Sequence, residues 1–381
     1  MTTKANLSFL KSMSGLFETK INFDEKLILA YLCDKINLSP SKLQIIMKFY
    51  DSLNSAVADN FSLLQNLKLK WLVKFEIAKL EQDLSELQIA LTLHKISLLT
   101  FEDIDYPPSL KNLENYPLVL FYQGNVSKLK EIPCITVVGS RNTDVYAQLL
   151  LDKILAPACR LGVGVVSGLA LGIDGMSHNV ALDNNSYTVG VIGSGLDQKS
   201  FYPSQNWGIR NRILESGGCV ISEYLPNKLP NIYTFPQRNR ILAALTEVTW
   251  VVQASVKSGS LITALKARDL GKNLATTPAD IRNTGYDGNI KLIKEGCEII
   301  TEAEDIISLL GLKVHNEIQP PAKITFNSNQ EKEVYEKLSI QPQNIDKLAE
   351  ILNIDDLSLH LTMLELSGLA MNVGENMWIR V

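Results

Sequence analysis

Six short apolar runs, CITVVG, GVGVVSG, YTVGVIGSG, GCVISE, VTWVVQA and NLATTP, recur between residues 134 and 278. Segments with helical periodicity lie between and beyond them, among them YAQLLLDKILAPACRLG, IDGMSHNVALD, RNRILAAL, LITALKARDLG and NIKLIKEG. A strand with one wet face alternates apolar and polar residues; a continuous apolar run is buried on both faces. Strands of that kind, separated by helices, fit a parallel sheet with helices covering each side. The expectation is an α/β fold, an extended, Rossmann-like, doubly wound and mostly parallel sheet over residues 101–311.

The flanks read differently. Through residues 1–100, leucines and isoleucines recur at three- and four-residue spacing (KLILAYLCDKI, SKLQIIMKFYDSL, LSELQIALTLHKI), as in a helical domain. DYPPSL, Asp105 to Leu110, breaks that pattern, since consecutive prolines end helices. Residues 312–326, polar and carrying Pro320 and Pro321, read as a linker. Residues 327–381 show three helical periods and a terminal ribbon, a winged-helix pattern. Its second and third helices are weakly charged and fit duplex DNA or a protein alike.

With 381 residues, 46% of them hydrophobic and 20% charged, the chain can form two or three well-packed domains. Its apolar stretches are too short to span a membrane, and the N-terminus lacks a signal-peptide pattern, so the expected location is cytoplasmic. Five scattered cysteines without a CxxC pair read as buried thiols. Four distant histidines give no zinc spacing, so no His-rich zinc site is expected.

The net charge of −4 disfavours a polyanionic partner, but it is unevenly spread. Glu131 to Ile300 carries 16 basic and 14 acidic side chains, and Gln205 to Arg240 sets five basic residues against Glu215 and Glu223. Local potential decides whether a polyanion docks.

Five segments carry candidate chemistry. VVGSRNTD places Gly139, Ser140 and Arg141 at a strand exit, where backbone N–H groups and a helix N-terminus attract anions. The glycines of a dinucleotide fingerprint and a P-loop are missing. SGLALGIDGMSH supplies Ser167 and Gly168, and sets Asp174 four residues before His178, a spacing that reads as a helix-stabilising pair rather than an acid/base pair. GSGLDQKSFYP offers Lys199 beside Phe201 and Tyr202, a cation next to rings that could stack a base. FPQRNR then places Arg238, Asn239 and Arg240 at a helix start, and SGSLIT places Ser258, Gly259 and Ser260 at another. The two arginines are expected to converge on one phosphate.

These ordered blocks, from ISLLTFEDIDYPPSL to YDGNIKLIKEG, resemble the DprA (Smf) family of DNA-processing proteins. The resemblance implies a helical, SAM-like N-terminal domain, the Rossmann-like core and a winged-helix C-terminal domain. It implies a homodimer that binds single-stranded DNA and loads the RecA recombinase in natural transformation, without catalysis and with no metal and no nucleotide or other cofactor. The pocket it implies comprises Gly139 to Arg141, Ser167, Gly168, Arg238 to Arg240 and Ser258 to Ser260. TTPAD (Thr276 to Asp280) and Gln253 depart from the family pattern. The alternative is an enzyme like the nucleotide phosphoribohydrolases, which use a related sheet; Asp174, His178 or Glu223 would then act on a nucleoside monophosphate.

Overall fold

The computed structural model describes residues 23–67, 69–72, 77–312, 326–352, 354 and 356–380. Nearly all of the expected linker, and the first 22 residues, lie outside the described residues. The chain divides into two compact units, Met1–Lys313 and Val314–Val381.

The first unit holds a nine-stranded sheet: β1 (Ser97–Thr100), β2 (Val119–Gly124), β3 (Cys134–Val138), β4 (Gly164–Ser167), β5 (Thr188–Ile192), β6 (Cys219–Ser222), β7 (Val248–Val251), β8 (Asn273–Thr276) and β9 (Glu298–Ile299). Their spatial order is β1-β2-β6-β5-β4-β3-β7-β8-β9. β2 pairs antiparallel with β1 and β6, and the other pairs are parallel. The six apolar runs are β3 to β8. The sheet begins at Ser97, ahead of the expected boundary at residue 101.

Among the described residues, four α-helices precede it, α1 (Glu25–Lys35), α2 (Pro40–Met47), α3 (Leu53–Ala58) and α4 (Ile77–Leu93). Ile28, Leu32 and Leu84 share one core with Leu118, Phe121 and Ile213, so these helices pack onto the antiparallel side of the sheet. Within the sheet region α5 (Val145–Leu150) passes through a π turn (Leu151–Leu155) into α6 (Ala156–Arg160). Then come α7 (Ile173–Asp183), α8 (Trp207–Glu215), α9 (Thr234–Leu245), α10 (Ser260–Asp269), α11 (Asp287–Lys294) and α12 (Ala303–Leu309). Alternate strand residues serve opposite layers: Ile135 and Val137 join Leu151, Ile154, Ile173 and Ile306. Cys134 and Val138 join Ile241, Leu245, Leu261 and Ala264 on the other face. Each such valine or isoleucine contributes about 1.5–3 kcal/mol by burial, which is why the runs are continuously apolar.

β3 lies between β4 and β7, and the chain winds outward from it in both directions. α5 and α10, which follow β3 and β7, cover opposite faces. The crevice between those two strand ends is therefore the topological switch point, the usual ligand site of an open α/β sheet. No helix among the described residues is long and apolar enough to cross a membrane.

The second unit contains α13 (Asn329–Lys337), β10 (Gln343–Asn344), α14 (Ile345–Leu352), α15 (Leu357–Leu366), β11 (Ala370–Asn372) and β12 (Met377–Arg380). Its antiparallel sheet has the order β10-β12-β11, over a core of Val334, Leu348, Leu361, Leu364 and Trp378.

Candidate nucleic-acid interface

The switch-point crevice is filled by the chain itself. Ser140 N–H donates to the Gln253 carbonyl at 2.7 Å and Val252 N–H to Val138 at 3.1 Å, so the two strand exits stay zipped. Asp144, the N-cap of α5, accepts from Ala147 N–H (2.9 Å), Tyr286 OH (2.8 Å), Asn283 Nδ2 (2.9 Å) and Gln253 Nε2 (3.4 Å). Tyr146 packs edge-on against Tyr286 at 5.7 Å and donates to the Pro278 carbonyl at 3.0 Å. Gln253 and Pro278 of the TTPAD segment belong to this cluster. Gly139 serves packing here, since a Cβ would stand 2.5 Å from Ile173 Cγ1. The outward-facing N–H expected at Ser140 is thus already engaged, and its Oγ donates to the Asn142 carbonyl at 2.6 Å. Arg141 alone of the three turns to solvent.

One strand over, a shallow cleft of about 20 Å³ is lined by Arg141, Gly168, Leu171, Tyr202, Phe235 and Arg238, among others. The Arg141 guanidinium lies 5.7 Å from the centre of the Phe235 ring. Phe235 in turn tilts against Tyr202 at 5.7 Å, and Tyr202 is 45% exposed. A cation and two rings therefore stand in a row along the rim. Phe201, the ring singled out in the sequence, is buried and packs edge-on against Trp207 at 5.1 Å. Its neighbour Tyr202 holds the exposed position instead, and Lys199 on the same connection is exposed. Phe235 gave no sequence signal beyond heading the FPQRNR block.

The two arginines of that block do not converge. α9 begins at Thr234, so Pro236 sits inside its first turn, where proline is tolerated. Arg238 and Arg240 fall in the second turn, about 200° apart around the helix. Arg238, 5% exposed, donates through Nη1 to the Gly168 carbonyl at 2.6 Å and to the Val191 carbonyl, and through Nε to Asn239 Oδ1 at 3.2 Å. Gly168 is forced by this clamp: a Cβ there would lie 2.4 Å from both Arg238 Nη1 and Asp174 Oδ2. Arg240 faces away and gives Nη2 to both Glu223 oxygens at 2.5 Å. That pair lines a separate cavity of about 490 Å³ between α1–α2 and the β6–α9 connection.

The remaining candidates divide likewise. Ser167 is fully buried and ties β4 to β3 through Oγ to the Val137 carbonyl, 2.6 Å. At the start of α10 the Ser258 and Ser260 hydroxyls share a hydrogen bond of 2.7 Å. Asn239 Nδ2 donates to the Gly259 carbonyl at 3.4 Å, and Gly259 is exposed with open space around it. Asn239 thereby joins the Arg238 rim to the serine-glycine turn.

The acid/base candidates are enclosed. His178 is fully buried and its Nδ1 shares a hydrogen bond with Thr188 Oγ1 at 2.7 Å; burial first, then the Arg238 charge, push its imidazole down to about 3, so it is neutral. Asp174 accepts from Ala170 N–H at 3.4 Å; burial raises its carboxyl, with Arg238 pulling the other way. Burial also raises Glu223 against the pull of Arg240. No cluster able to hold a metal ion occurs among the described residues.

A family model described as DNA recombination-mediator protein A matches residues 97–311. Protein Smf of Escherichia coli (strain K12) is 36% identical over 210 residues, 55% of each chain, so this chain spans about half the length of that relative. DNA processing protein DprA of Bacillus subtilis (strain 168) is 35% identical over 238 residues, 62% of this chain and 79% of that one. The X-ray structure of DprA from Streptococcus pneumoniae superposes with a TM-score of 0.58 at 28% identity, covering 76% of this chain and 98% of that chain. A Helicobacter pylori DNA processing protein A, whose structure is described for its single-stranded DNA binding mode, gives 0.50 at 28% identity, covering 57% of this chain and 95% of that chain. With the family match falling on the sheet that carries the rim and its glycine turns, the chain belongs to the DprA/Smf family of DNA-processing proteins.

Proposed function

We propose that this protein binds single-stranded DNA without catalysing a reaction on it, protects incoming DNA, and loads RecA recombinase as a homodimer during natural transformation and recombination in the cytoplasm. The observation that carries the DNA-binding part is the open row of Arg141, Phe235 and Tyr202 beside a cleft of only about 20 Å³. A site that encloses a small ligand commonly offers hundreds of cubic ångströms. A rim that presents a cation and rings without enclosure suits a polymer whose phosphates pair with the cation while bases stack. The structurally similar Helicobacter pylori protein is described as binding single-stranded DNA, which supports the same ligand here. The second unit, with its helix, strand, two helices and hairpin, is read as a winged-helix-like domain.

Affinity for a labelled oligothymidylate, measured by anisotropy across a salt series, tests the reading. Arg141→Ala is expected to weaken binding about tenfold near 0.1 M salt and to flatten the log–log salt slope by about 0.7, one phosphate's share on a single strand. Tyr202→Ala is expected to weaken it roughly 5- to 150-fold through lost stacking, with the slope unchanged. Wild-type affinity in both variants would refute the rim as the DNA site. Release of free base from nucleoside monophosphates by the purified protein would favour the enzyme alternative.

A further inference from the structure

α15 is apolar on two opposite sides. Leu357, Leu361 and Leu364 are buried in the core of the second unit. Leu359, Met363 and Leu366, at i, i+4 and i+7, form a second stripe roughly 200° away, and they are 52%, 42% and 80% exposed. A helix that is apolar nearly all round is normally covered on both sides. One side of this helix is covered by its own domain and the other is open, with Ile351 of the neighbouring α14 also 63% exposed.

Charge decides what fits that face. Between residues 326 and 381 the sequence has four basic side chains, Lys332, Lys337, Lys347 and Arg380, against nine acidic ones. α15 carries no lysine or arginine, and its one charged residue is the exposed Glu365. α14 adds the exposed Asp346 and Glu350 against one exposed cation, Lys347, and Asp356 at the start of α15 is exposed as well, so the border is net acidic. A helix placed in a DNA groove needs lysine or arginine to neutralise phosphates, and this one would bring only repulsion. A second copy of the unit would set two acidic rims against each other. An apolar stripe with an acidic border is complementary to a helix with an apolar face and a basic border.

We infer that the outer face of α15 docks a basic amphipathic helix of a partner protein. The full-length protein is titrated against three labelled probes: an 18-residue amphipathic peptide of leucine and lysine, the same peptide with glutamate for lysine, and a 20-base-pair duplex. The basic peptide is expected to bind, Met363→Glu with Leu366→Glu to weaken it at least tenfold, and Glu350→Lys with Glu365→Lys to weaken it several-fold with the stripe intact. All four positions are exposed, so thermal midpoints should stay at the wild-type value, which separates docking from misfolding. Equal binding of the acidic peptide, unchanged affinity in the Met363/Leu366 variant, or duplex binding lost in that variant would each overturn the assignment. Sedimentation showing self-association abolished by Met363→Glu would overturn it in favour of a second copy. These outcomes do not depend on Arg141 or Tyr202, so single-strand binding can stand or fall separately.

Discussion

Replacing Arg238 by methionine is expected to lower the free energy of unfolding by about 3–5 kcal/mol, the usual cost of removing one partner from a buried charged network. The guanidinium satisfies the carbonyls of Gly168 and Val191 and is the main charge opposing burial of the Asp174 carboxylate. Methionine keeps much of the volume but leaves two acceptors without donors, each worth about 1–3 kcal/mol, and strands a carboxyl in an enclosed site. Part of the loss is relieved if Asp174 takes up a proton, so the deficit should be smaller at pH 5 than at pH 8. Urea unfolding of the two proteins measures it. In contrast, Arg141→Ala should change stability by less than about 0.5 kcal/mol, because that side chain faces solvent. A deficit below about 1 kcal/mol for Arg238→Met, accompanied by lost DNA binding, would show instead that Arg238 is a phosphate ligand with little structural role. The contrast also determines how DNA-binding variants are chosen: where Arg238→Met carries the expected deficit, its loss of binding reports collapse of the rim, whereas loss in an Arg141 variant reports the contact with DNA itself.

The parts of this fold that were legible in the sequence are those in which one strand's own residues report its burial. β3 to β8 are continuous apolar runs because both of their faces are covered, and that signal is local. β1 and β2 carry no such local signal, because their place depends on pairing with each other and with β6, about a hundred residues further on. The site shows the same division. Arg141 stands next to a glycine turn and could be found from its neighbours. The partners of Arg238 lie 70 and 47 residues away, so its burial had no local trace. FPQRNR reads as one basic cluster in the linear text, yet helical rotation sends Arg240 to Glu223 and a different cavity. For the adjacent Phe201 and Tyr202, the text offers two rings, and only the packing of Trp207 decides which of them is inside.

Acid should destabilise this protein through His178. Folding holds its imidazole neutral down to about pH 3, while in the unfolded chain it takes a proton near pH 6.5. Between those limits the unfolded state binds the extra proton, so stability present above pH 6.5 is lost as the pH falls. The slope from one such group is about 1.4 kcal/mol per pH unit, or about 2.7 kcal/mol between pH 6 and pH 4. Asp174 and Glu223 act with the opposite sign, because burial raises both carboxyls and the folded state then holds protons that the unfolded state has released. Those two contributions remain when His178 is replaced, so the difference between two proteins isolates the histidine. His178→Gln should be the less stable protein at pH 7, having lost the packed ring and its bond to Thr188, but its stability should fall less steeply on acidification. Urea midpoints at half-unit pH steps from 7 to 4 would show two converging curves. Parallel curves would mean that His178 gains its proton inside the fold. The charge would then sit beside that of Arg238 and be repelled by it.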